Sequence, residues 1–327
     1  MYSYIKQLDW ALMSKPLEPT HGVTHQDVDE NHEGQRLDNY LLFFLKGVPR
    51  SRIYSIIRRG EVRVNKKRAK PAQKLVIGDV VRIPPVSMPE KVEVTIPQGI
   101  KQKLLDAIIY QDENFIGLDK PAGMAVHGGS GLSFAVIEGL RLALENPQLE
   151  LAHRLDKDTS GCLLIAKQRK ALVGIHEKLR SKQVRKRYLA LLTGTWHGPK
   201  QRVIDEPLLK NTLNGGERIV RVSEEGKAAK TMFQIIENFD ECCLVAVYPV
   251  TGRTHQIRVH AQFMGQPIIG DKKYGIKRCE LKGVLAKASR LYLHANQLSF
   301  DWQPAPYFID VPPDKAWQSF IDLLRDK

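Results

Sequence analysis

The stretch richest in chemistry is LELAHRLDKDTSGCLLIAK, residues 149–167. Two apolar runs flank a polar turn, which puts His153, Arg154 and Asp156 at a strand end and Asp158 to Gly161 in the following loop. Strand ends and loops are where functional groups are displayed. A carboxylate in such a place can act as a nucleophile or as a base. On H-R-L-D alone, the plainer reading is an Asp that caps a turn and pairs with a nearby Arg.

Two other stretches carry reactive side chains. In PVTGRTHQIRVH, Pro249 to His260, the histidines lie five apart, unlike the i, i+4 pair of a zinc helix. Ile257, Val259 and Phe263 predict a helix whose histidines face polar partners. In KPAGMAVHGGSG, residues 120–131, His127 is followed by Gly128, Gly129 and Gly131. A Gly-rich loop can cradle phosphate, but no G-K-[ST] follows and no G-x-G-x-x-G succeeds a strand. It reads as a flexible loop bordering a site rather than a nucleotide pocket. The four cysteines include no C-x-x-C pair, so no metal site is indicated. Cys162, Cys242 and Cys243 sit in apolar, strand-like runs as small hydrophobes, a usage that suits a reducing cytoplasm.

The elements that must position these residues follow from periodicity. Leu37, Tyr40, Leu41, Phe44 and Leu45 recur at helical spacing, ended by Gly47 and Pro49. SRIYSIIRRG predicts a second helix with Gly60 as its C-cap. EVRVN, the turn NKKR, and GDVVRIP predict two strands. Further on, the runs FIGLDK, LELAHRL, CLLIAK, RYLALLTGTW, KTMFQIIEN, CLVAVYPV and LYLHANQLSF predict strands, with KALVGIHEKLRS a helix between two of them. Their irregular spacing predicts an α+β fold with a mixed, mainly antiparallel sheet flanked by helices.

Charge is unevenly spread. The chain of 327 residues carries a net +14, and Gly34–Val86 alone holds 13 basic against 3 acidic side chains, a net of +10. Concentrated positive charge fits a dedicated nucleic-acid-binding module better than a generally solubilised surface. The expected organisation is an N-terminal extension over 1–33, a small basic module over 34–86, a Pro-rich linker over 87–103 and one large domain over 104–327. No apolar run approaches the roughly 18 residues of a membrane span. Met1 to Met13 makes a poor signal peptide, because Lys6 and Asp9 interrupt it.

Residues 36–83, with RRGEVRVN at Arg58–Asn65, resemble an S4-type RNA-binding domain. The resemblance implies an RNA surface made of Arg50, Arg52, Arg58, Arg59, Lys66, Lys67 and Arg68. HRLDKDTSG at 153–161, together with KPAGMAVHGGSG, KRYLAL at Lys186–Leu191 and PVTGRTHQIRVH in the required order, resembles the RluA-like family of RNA pseudouridine synthases. That resemblance implies the pseudouridine synthase fold, an essential Asp at 156, Arg253 paired with it, and Tyr188 stacked on the base. It also implies Arg154 in the space left by an extruded base, with His127, Gly128 and Gly129 in a loop at the active site. The implied reaction breaks N1–C1′, rotates the base and forms C5–C1′. The residues leave open whether Asp156 attacks C1′ or removes the C2′ proton. Isomerisation is redox-neutral and requires no metal or organic cofactor. The implied substrate is large-subunit (23S) ribosomal RNA, at uridines near the peptidyl-transferase centre. Phosphates would be held by the basic module and by Lys167, Arg185, Lys186 and Arg187, although KQVRKR also reads as a solvated charged stretch. No membrane partner and no obligate oligomer is indicated, so a cytoplasmic monomer is expected.

Two other readings compete. A ribosome-associated binding factor would explain the charge but leave Asp156, Tyr188 and Arg253 without a role. A hydrolase acting at C1′ would normally need two catalytic carboxylates, and Asp158 is the only other acid in the motif.

Overall fold

The computed structural model describes residues 22–45, 47–86, 96–128, 135–212, 218–277 and 280–326. The chain divides into two compact units, residues 1–95 and 96–327.

In the first unit, β1 (Thr24–Asp27) precedes the helices α1 (Leu37–Phe44) and α2 (Arg50–Arg58), then β2 (Arg63–Val64), β3 (Lys67–Arg68) and β4 (Val80–Ile83). The strands form one antiparallel sheet in the order β1-β4-β2-β3. The periodic residues Leu37, Tyr40, Leu41, Ile53, Ile56 and Ile57 join Val62, Val64, Val81 and Ile83 in its core. Gly60 ends α2 at φ +75°, which glycine adopts without a Cβ penalty. Asn65 and Lys66 both have positive φ, matching the right-handed twist of β2 and β3 and lifting the basic hairpin tip into solvent.

The expectation that residues 1–33 form a separate extension needs correction. Residues 1–21 lie outside the described residues, but β1 pairs with β4 from Thr24↔Ile83 to Asp27↔Val80. Val28 is buried, and the His32 ring packs among Tyr40, Phe43 and Phe44. The last third of the expected linker also folds. Residues Gln98–Asp106 form α3, whose Leu104 is fully buried in the core of the second unit.

The second unit runs α3, β5 (Ile108–Gln111), β6 (Phe115–Lys120), α4 (Val136–Ala143), β7 (Glu150–Leu151), β8 (Ser160–Ala166), α5 (Arg169–Arg180), β9 (Arg185–Thr193) and β10 (Gln201–Ile204). It continues with β11 (Leu208–Thr212), β12 (Arg218–Val222), β13 (Thr231–Asn238), β14 (Cys242–Pro249), α6 (Gln256–Phe263), β15 (Leu293–Phe300), β16 (Tyr307–Asp310) and α7 (Lys315–Arg325). Ten strands form the mixed, mainly antiparallel sheet expected, with the spine β10-β13-β14-β9-β15-β8-β6-β5. The β8–β15 pair is parallel. Alternation divides the side chains between two faces. Ala190 and Leu192 pack with Cys243, Val245 and Val247, whereas Leu191 and Cys242 pack with Trp317, Phe320 and Ile321 of α7. The buried thiols of Cys162, Cys242 and Cys243 are pushed up to about 12 by burial, as suits small hydrophobes. Cys279 lies outside the described residues.

Candidate active site

Asp156 sits in the loop between β7 and β8, and three features fix that loop. Gly161 has φ +101°, and a Cβ there would lie 2.2 Å from the Ala295 carbonyl oxygen, so only glycine permits this approach of β8 to β15. The Ser160 hydroxyl meets His294 Nδ1 at 2.9 Å, while His294 Nε2 meets the Val311 carbonyl oxygen at 2.8 Å. Lys120, fully buried at the end of β6, donates to the carbonyls of Pro121 (2.8 Å), Met124 (2.9 Å) and Lys157 (2.9 Å). Burial pushes its pKa down to about 7 against the pull of Asp158 and Asp156. Three acceptors occupy all three N–H bonds of an ammonium, which ties the loop to the segment after β6.

The Asp156 carboxylate, one-quarter exposed, accepts a hydrogen bond from Arg258 Nη1 at 3.1 Å. Arg258 lies on the buried face of α6 and also donates through Nε and Nη2 to both oxygens of Asp271, at 2.7 and 2.8 Å. Burial alone would push Asp271 up, but Arg258 and the backbone N–H groups of Lys273 and Tyr274 bring it below the usual carboxylate range. The guanidinium also stands 5.1 Å from the centre of the Tyr274 ring.

His255 is the second neighbour. Its Nε2 lies 4.0 Å from Asp156 Oδ2, and its backbone at φ +53° begins α6 in the left-handed region. The Tyr274 hydroxyl lies 2.7 Å from His255 Nδ1 and accepts a 3.0 Å bond from the Val220 N–H of β12. All three groups are satisfied when the phenol donates to Nδ1 and Nε2 carries its proton toward Asp156. Burial lowers the pKa of His255, which keeps the ring neutral in this arrangement.

Asp156, His255 and Arg258 line a cleft of about 690 Å³ that is also lined by His127, His153, Arg154, Lys186, Tyr188 and Arg253. Tyr188 reaches it from β9. Burial, and then the Asp156 charge, push its hydroxyl up, so it stays protonated. Arg154 is exposed at the cleft. His127 lines it, while the Gly128 N–H donates to the Glu138 carboxylate at 3.3 Å. Gly129 lies outside the described residues. His153 accepts from the Leu164 N–H at 3.0 Å, and burial takes its pKa down to about 3. His260 faces polar partners, the Thr231 hydroxyl and the Glu206 carbonyl, as the helix pattern predicted.

The expected Arg253–Asp156 pair does not form. Arg253 precedes α6, is exposed at the cleft, and donates through Nε to the Ala228 carbonyl at 3.1 Å. GRTHQIR contains two arginines, and only the second lies on the inward face of the helix. The signal for Arg258 was present in its neighbours Ile257, Val259 and Ala261, since an Arg in an apolar stretch needs a carboxylate partner when buried. Asp271 carried no motif that would have identified it.

Arg50, Arg52, Arg58, Arg59, Lys66, Lys67 and Arg68 are all exposed on the first unit. Arg59 pairs with Glu61 at 2.9 Å. Among the described residues, no three His, Cys, Asp or Glu side chains group as a metal site, and no helix is long and apolar enough to cross a membrane.

Comparison with known proteins accords with this geometry. Residues 114–263 match the family described as RNA pseudouridylate synthase, and residues 35–81 match the S4 domain. The chain is 49% identical over 305 residues to the ribosomal large subunit pseudouridine synthase C of Pasteurella multocida (strain Pm70), covering 92% of this chain and 93% of that protein. It is 52% identical over 306 residues to the protein of the same name from Escherichia coli (strain K12), covering 91% and 96% respectively. Among solved structures, human RNA pseudouridylate synthase domain containing 4 is similar at a TM-score of 0.57 and 27% identity, over 69% of this chain and 96% of that one. A cleft around a paired carboxylate, the ordered motifs and these relatives together show that the chain belongs to the RNA pseudouridylate synthase family and carries an S4 domain.

Proposed function

We propose that the protein isomerises specific uridines of large-subunit ribosomal RNA to pseudouridine, with Asp156 as the reacting carboxylate. The observation that carries this reading is the Asp156 carboxylate, partly open to a cleft and held by Arg258. The names of the similar proteins support the substrate.

C1′ and C5 of a stacked nucleotide are out of reach of a side chain, so the uridine must leave the stack, at a cost of a few kcal/mol. Exposed Arg154 is placed to fill the vacated space, and Tyr188 offers its ring to the extruded base and its hydroxyl proton to the reaction. Asp156 then either bonds to C1′ as N1 departs or takes the C2′ proton. Both routes return the carboxylate when C5–C1′ forms and the C5 proton is lost. Arg258, in place of Arg253, holds the carboxylate in position, and the Tyr274–His255 pair directs an N–H toward it. The exposed cations of the S4 domain hold phosphates without reading bases. No cofactor enters this scheme, and the protein acts as a single chain in the cytoplasm.

The test is a map of pseudouridines in ribosomal RNA from cells with and without this protein. The proposal expects defined large-subunit positions to revert to uridine and to be restored by the wild-type gene. An unchanged map would remove ribosomal RNA as the substrate.

A further inference from the structure

Lys186 differs from the buried and half-buried cations Lys120, Arg258 and Arg187. Lys120 has three carbonyl acceptors, Arg258 has two carboxylates, and Arg187 donates to Asn296 Oδ1 at 2.6 Å. Among the described residues, the Lys186 ammonium has neither a hydrogen-bond nor an ion-pair partner, although it is half-buried and lines the cleft. Burial lowers its pKa, and no carboxylate offsets that. The acid that shares the cleft, Asp156, is engaged by Arg258.

Strand geometry aims this charge. Lys186 and Tyr188 are two apart on β9 and share a face, while Arg187 between them turns the other way. The ammonium therefore stems from a backbone position about 7 Å from that of Tyr188, at two strand rises of roughly 3.3 Å. Gly252 leaves its front open, since a Cβ there would lie 3.9 Å from Nζ.

We infer that Lys186 is a phosphate-binding residue inside the cleft, taking a non-bridging oxygen of an RNA phosphodiester beside the nucleotide that enters next to Tyr188. This rests on the cleft being the RNA site. A half-buried, unpaired ammonium is costly in the free protein, and a polyanion supplies the missing partner. Lysine serves phosphate as a point charge, without the planar geometry that arginine imposes.

The experiment compares wild-type protein with Lys186→Met, Lys186→Arg and Gly252→Ala on a fragment of large-subunit ribosomal RNA. Affinity is measured across a salt series, and pseudouridine formation in single turnover at saturating enzyme. Lys186→Met is expected to weaken binding about tenfold, the scale of one charge-assisted hydrogen bond. It should also flatten the log–log salt slope by about 0.7–0.9, the increment for one phosphate contact. Lys186→Arg should keep the slope. Gly252→Ala, which sets a methyl against the ammonium, should weaken binding with no loss of thermal stability. The saturating rate of Lys186→Met should stay near wild type, and its melting temperature should not fall, because an unpaired charge has been removed. Unchanged affinity and slope would overturn the inference. So would a lost saturating rate with intact binding, which would place the lysine on the base, or a Lys186→Met protein that fails to fold. If wild-type protein binds the fragment without forming pseudouridine, the functional reading fails while the salt series still decides on Lys186.

Discussion

Asp156 and Arg258 lie 102 residues apart in the chain and meet at 3.1 Å, with Arg258 itself gripped through two bonds by Asp271. The carboxylate at the cleft is thus held by a cation whose own position is set from behind.

Replacing Arg258 with Met leaves the fully buried Asp271 carboxylate without its partner. Removing one member of a buried pair costs about 3–5 kcal/mol. Arg258→Met is therefore expected to lose that much in denaturant unfolding, together with its turnover. Arg253→Met, at an exposed position, should stay within about 0.5 kcal/mol of the parent. Equal stability of the two variants would refute the assignment of the pair to Arg258.

Tyr274→Phe keeps the ring beside Arg258 but removes the oxygen shared by Val220 and His255. Leaving the buried Val220 N–H unpaired costs about 1–3 kcal/mol. With His255 Nδ1 no longer anchored, the single-turnover rate should fall while RNA affinity holds. A variant with the parent's melting temperature and rate would show that this relay positions nothing.

Buried histidines make the fold acid-sensitive. Burial takes His153 down to about 3 and lowers His176, His255, His260 and His294. In the unfolded chain they protonate near pH 6.5. Between that pH and their folded values the unfolded state binds more protons, so stability falls as pH drops below about 6.5. Asp271, below its usual range despite burial, adds to the loss at lower pH. The unfolding midpoint followed from about pH 8 to pH 4 should decline throughout, at first because buried Lys120, with its pKa near 7, holds its proton less tightly than a free lysine, and below about pH 6.5 because of the histidines. A midpoint that is flat down to about pH 5 would contradict these shifts.

Much of this was legible from the residue pattern, for reasons that particular elements show. β9, β14 and β15 are long apolar runs near the middle of a wide sheet, where both faces are covered and the signal is strong. Asp156 stood out because a polar turn interrupts two such runs. β1 was hidden because THQD buries alternate positions only partly and is an edge strand. α3 was hidden because Leu104 is its only buried residue, so no helical stripe repeats. The β11–β12 hairpin was missed because few of its residues are buried. Choosing between Arg253 and Arg258 depended on where α6 begins, since Arg253 precedes the helix and Arg258 lies on its buried face. Asp271 could be found only through its contact with Arg258.

The role proposed for the Asp156 carboxylate is to carry the chemistry. Its most direct test is release of tritium from C5-labelled uridine in ribosomal RNA by pure wild-type and Asp156→Asn protein in single turnover, with RNA affinity measured in parallel. Wild-type protein should release tritium with a matching yield of pseudouridine, and Asp156→Asn should release none above background at nearly unchanged affinity. Measurable release by a pure Asn variant would contradict it.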